Sequence, residues 1–75
     1  MIFVFESSDG YQQAVDMSQV LAIYLLIGKA HKKDPTISID FQPDGPSLKI
    51  VYDLAERARK DFDNAVAMWH QIGMY

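Results

Sequence analysis

Apolar residues at Leu54, Ala58, Phe62, Ala65, Trp69 and Ile72 recur at spacings of four and three, with Glu56, Arg57, Lys60, Asp63, Asn64 and Gln71 between them. An α-helix gathers the first set on one stripe and turns the second toward solvent. Ala55 and Val66 widen the stripe. Asp53, with Glu56 three residues on, has the form of a capping box in an aspartate variant, and Gly73 supplies a stop. The pattern predicts an amphipathic helix over residues 54–72.

Upstream the period changes to two. Ile37, Ile39 and Phe41 alternate with Ser38, Asp40 and Gln42, and Leu48, Ile50 and Tyr52 alternate with Lys49, Val51 and Asp53. Each run predicts a half-buried strand, at 36–41 and 48–52, joined by the turn-forming residues of QPDGPS. Setting Phe41 against Leu48 places Ile39 opposite Ile50, Ile37 opposite Tyr52, and Asp40 opposite Lys49 as a cross-strand ion pair. At the N-terminus IFVFE predicts a strand at about 2–6, SSDG a turn, and YQQAV a returning partner.

Eight consecutive apolar residues, Val20 to Ile27, admit two readings. A helix would be capped by Asp16, with Gln19 at the capping-box position and Lys29, Lys32 and Lys33 near its C-terminus. It would be apolar on every side, however, and a chain of 75 residues has too little core to surround it. A strand resolves the conflict by alternation: Leu21, Ile23, Leu25 and Ile27 inward, Ala22, Tyr24 and Leu26 outward, with GKAHKKDP as the following loop. On this reading the second strand runs from about 11 through 27 with a break near VDMSQ. The fold class is α+β: a small antiparallel sheet of about four strands with one C-terminal amphipathic helix packed on one face, in the order β-β-β-β-α. A helical 12–32 region would make it β-α-β-β-α.

This order, with Met1-Ile2, Val15-Asp16, Val20, Ile23 and the Asp44-Gly45 turn, loosely resembles short flagellar proteins of the FlbD type. Asp16-Met17 stands where that family has an Asn-Pro step, and the 20–35 region is longer. No function is carried over from the resemblance, since fold by itself does not specify one.

The length predicts one domain spanning residues 1–75, and a single core of this size seldom contributes more than ~3–5 kcal/mol. Oligomerisation is a common supplement. Disulfides and thiolate zinc sites are excluded, because cysteine is absent. The net charge of −3 lacks the positive field that nucleic-acid coating requires. The apolar run is far short of the ~20 residues that cross a bilayer. With no basic leader ahead of IFVFE, a soluble, cytoplasmic protein is expected.

Candidate chemistry is sparse. His31 and Asp34 would give two metal ligands where three or four are needed, and His70 sits at the rim of the helix stripe. The serines form no nucleophile elbow, and the four glycines are isolated, so no phosphate-cradling loop is present. No catalytic residue, metal site, cofactor or small-molecule substrate is predicted. Lys29, His31, Lys32 and Lys33 form a candidate anion contact, but they lack the aromatic interleaving of single-strand binders.

The apolar surplus carries more information. One helix covers one face of the sheet and leaves Ala22, Tyr24, Leu26, Val51 and one alternating set from IFVF on the other. Apolar surface of that kind marks interfaces. Met68, outside the central arc of the helix, and Met74 and Tyr75, beyond its stop, add an adaptable contact region. The expectation is a non-catalytic protein–protein interaction or regulatory module that self-associates, as a homodimer in the simplest case, through the apolar face or an edge strand. Two alternatives are an inhibitor or adaptor of the phage or mobile-element type docking on a larger enzyme or defence complex, and a weak nucleic-acid-binding module using the Lys29–Lys33 loop.

Overall fold

The computed structural model describes residues 1–7, 10–28 and 32–73. Strands β1 (Ile2–Glu6) and β2 (Gln12–Asp16) form a two-stranded antiparallel hairpin. Strands β3 (Ala22–Leu26), β4 (Thr36–Asp40) and β5 (Leu48–Val51) form a second antiparallel sheet in the order β3-β4-β5. Helix α1 (Ala55–Gly73) packs against both sheets. The class is α+β, as the sequence pattern predicts.

The hairpin pairs Ile2 with Asp16 through Glu6 with Gln12. The ladder continues beyond both ends, Met17 N–H to Met1 O at 2.8 Å and Ser7 N–H to Tyr11 O at 3.1 Å. Odd-numbered positions share one face: Phe5, Val15 and Met17 are buried, and the Phe3 and Phe5 rings meet edge to face at 4.7 Å.

The break in the long second strand is a single 3₁₀ turn, Met17–Gln19. Asp16 does cap it, but the capped element is one turn and not a long helix. Asp16 Oδ1 accepts from the Ser18 hydroxyl at 2.7 Å, from Ser18 N–H at 3.1 Å and from the N-terminal ammonium at 3.4 Å. The Ser18 bonds foremost hold this carboxyl below its ordinary range. Because the turn buries Met17 and redirects the chain, the predicted four strands become five, in two sheets.

In the larger sheet the register differs from expectation by two residues. Ile39 faces Leu48, Ile37 faces Ile50 and Ser38 faces Lys49. A two-residue shift preserves every side chain's face, so the apolar pattern could not distinguish the two registers. Phe41 therefore lies in a longer connection and is exposed, and Asp40 accepts a hydrogen bond from the Ser47 hydroxyl. β4 is central and buried on both faces, from Thr36 to Ile39.

Within the 20–27 run Ala22–Leu26 is a strand, with Ile23 and Leu25 packed inward on the core and Tyr24 and Leu26 exposed outward. Leu21 does not follow. Its N–H donates to Asp40 O at 2.8 Å, although Ala22 is the residue paired with Asp40, so the ladder is out of step there and Leu21 is 52% exposed.

The helix begins one residue later than predicted. Leu54 C=O accepts the first bond, from Ala58 N–H at 3.2 Å. Asp53 thus lies outside the cap position, and its carboxylate accepts from Arg57 at 3.4 Å. Leu54 is exposed and does not join the stripe. Ala58 and Ala65 are fully buried, and Phe62, Met68, Trp69 and Ile72 pack around them. Met68 is therefore part of the core margin and not a free contact at the helix end. Trp69 Nε1–H donates to Val20 O at 3.2 Å, which ties the helix to the start of β3.

Candidate functional site

The outer face of the three-stranded sheet is ordered by its cross-strand pairs. Leu26, Thr36 and Val51 form one row, Tyr24, Ser38 and Lys49 the next, and Ala22 and Asp40 a third. Neighbours in a row stand ~5 Å apart. Tyr24 is 48% exposed, Leu26 36% and Val51 50%, whereas Thr36 and Ser38 between them are buried. The face therefore has an apolar rim on β3, a mixed rim of Val51 and the exposed Lys49 on β5, and a narrow floor of short hydroxyl side chains on β4. Thr36 donates its hydroxyl proton to Asp34 O at 2.8 Å.

The structure brings Ala22, Tyr24, Leu26 and Val51 onto this one face as expected. Ile2 and Val4 are exposed too, but on the hairpin, so the predicted apolar surface divides between two sheets. Lys32 and Lys33 are exposed and share a recess of about 580 Å³ with Asp34, Thr36 and Val51. The basic pair thus adjoins Val51 on the mixed rim, with a carboxylate beside it. Lys29, His31, Met74 and Tyr75 lie outside the described residues.

A second feature has no counterpart in the sequence pattern. Asp61 accepts two hydrogen bonds on Oδ2: from the Tyr52 hydroxyl at 2.6 Å and from Glu6 N–H at 2.9 Å. It joins the ends of β1 and β5 to the helix. Tyr52 is fully buried; burial first, and then Asp61, push its hydroxyl pKa upward. The only signal for this in the sequence is an aspartate one position before Phe62 on an otherwise regular helix.

Beside Asp61, a recess of about 250 Å³ gathers Glu6, Arg57 and Lys60. His70 shares a recess of about 360 Å³ with Met17, Ser18, Trp69, Ile72 and Gly73, none of which is a carboxylate or a second histidine. Ser7, Tyr11, Gln13 and Asp34 line a cleft of about 670 Å³ together with Leu48–Val51. Among the described residues no group of three His, Cys, Asp or Glu is placed to hold a metal ion, and no helix is long and apolar enough to cross a membrane. Comparisons with protein-family models, curated proteins and solved structures find no match for the chain.

Proposed function

We propose that this chain is a non-catalytic protein-contact module that works through the outer face of its three-stranded sheet, with a second copy of itself as the simplest partner. The observation that carries this reading is the set of apolar side chains, Tyr24 and Leu26 on β3 and Val51 beside Lys49 on β5, standing partly exposed on a single face. Covering what remains exposed of such side chains contributes roughly 1 kcal/mol each at ~25 cal/mol per Å². That is a large fraction of the stability available to a small, cysteine-free core.

The test is the double variant Tyr24→Lys with Leu26→Glu, studied by circular dichroism and by molar mass from light scattering. Both side chains point away from the core, so the fold is expected to persist while association is lost. If fold, mass and partner binding are all unchanged, the face is not a working surface. If the wild type is monomeric and only a heterologous protein loses affinity for the double variant, the face serves an adaptor or inhibitor and not a homodimer.

A further inference from the structure

Backbone direction at the sheet edges singles out β3. Tyr52 N–H donates to Pro35 O at 2.8 Å, extending the β4–β5 register by one residue at each end. Hydrogen-bonded pairs alternate along an antiparallel ladder. Residues 35, 37 and 39 of the β4 segment therefore bond toward β5, and Thr36, Ser38 and Asp40 bond toward β3. On β3 their partners are Leu26, Tyr24 and Ala22. The N–H and C=O groups of Ile23 and Leu25 point away from β4, along an edge whose only strand neighbour among the described residues is β4 itself.

The other strands carry the charges that natural edges use against unwanted pairing. β1 ends in Glu6, whose N–H is taken by Asp61; β2 ends in Asp16; β5 carries Lys49. β3, AIYLL, has none.

We infer that two copies of the chain pair antiparallel through their β3 edges, joining the two three-stranded sheets into one of six strands. This inference rests on the reading of the sheet as a self-association surface and specifies where the copies meet. A two-fold axis at Tyr24 sets Tyr24 against Tyr24 of the second copy, Ala22 against Leu26, and Ile23 against Leu25. The two tyrosine rings form a cross-strand aromatic pair on the outer face, the small Ala22 makes room for Leu26, and no like charges face each other. Ile23 and Leu25 of each copy exchange the hydrogen bonds that their outward amides and carbonyls offer. The step out of register at Leu21 limits the paired length to β3, ~17 Å. A contact of that length is small beside the ~800 Å² per partner of a standard interface, so the dimer is expected to dissociate on dilution.

The experiment measures molar mass and amide exchange of the full chain along a dilution series. At the concentrated end a dimer is expected, with the Ile23 and Leu25 amides exchanging ~tenfold more slowly once nine-tenths of the chains are paired. Tyr24→Lys and Tyr24→Glu should each be monomeric, and mixing the two should restore the dimer, since opposite charges then meet at the axis. Ala67→Lys, at an exposed position on helix α1 away from the sheet, should leave the dimer intact. A monomer at every concentration overturns the edge pairing. So does a dimer in which Ile23 and Leu25 exchange as fast as in the diluted chain. A dimer abolished by Val51→Lys places the contact on the sheet face, which overturns the edge and retains the face; unaltered mass in the Tyr24→Lys with Leu26→Glu variant removes both.

Discussion

Asp61 and Tyr52 show how much one side-chain pair can organise in a small domain. A single carboxylate oxygen holds the hydroxyl that closes β5 and the amide that closes β1. Tyr52 is buried and its pKa is raised, so the folded chain retains the phenolic proton at a pH where the unfolded chain releases it. Stability from this group is therefore complete below the ordinary tyrosine value of about 10 and falls as pH rises above it. Tyr52→Phe removes the titrating group. At neutral pH it should cost ~1–2 kcal/mol for the lost hydrogen bond, and above pH 10 its stability should fall less steeply than the wild type's. Urea unfolding at a series of alkaline pH values checks both; parallel slopes would contradict the assignment.

At the scale of elements, helix α1 lies close to two sheets because it presents alanine at its nearest points. Ala58 and Ala65 are fully buried, seven residues apart, with larger side chains on either side. Ala65→Leu forces extra volume into this contact and should destabilise by ~1–3 kcal/mol. Ala67→Leu, at an exposed position on the same helix, should stay within ~0.5 kcal/mol of the wild type. Denaturant midpoints of the two variants make the comparison. The helix stripe was legible because it repeats over five turns. The cap is displaced by one residue, and the Asp53 carboxylate meets Arg57 instead, a contact that spacing does not reveal.

At the scale of the molecule, the five short strands and one helix of the described residues leave a central strand buried on both faces and two edge strands of unlike character. β5 opens onto a cleft shared with the hairpin, while β3 is neutral and apolar. If copies associate through this sheet, the native dimer is favoured by mass action and the thermal midpoint should rise with protein concentration. Tyr24→Lys with Leu26→Glu should abolish that dependence. A concentration-independent midpoint in the wild type would show that the isolated core supplies the whole stability.

The sequence by itself determined the elements and the faces. Periods of two and 3.6 are local, so four strand segments, the helix and the outward positions Tyr24, Leu26 and Val51 could be read from spacing, whereas the division of the long second strand into β2 and β3 could not. It also favoured a strand over a helix within the 20–27 run, because a chain this short cannot surround an all-apolar helix, and the structure decided for the strand at Ala22–Leu26. Only the tertiary structure decided the division into two sheets, the β4–β5 register, the exposure of Leu21 and the role of Asp61. Each depends on contacts between residues distant in the chain: a two-residue register shift leaves the apolar pattern unchanged, and Asp61 finds Glu6 only after the hairpin and helix have packed together.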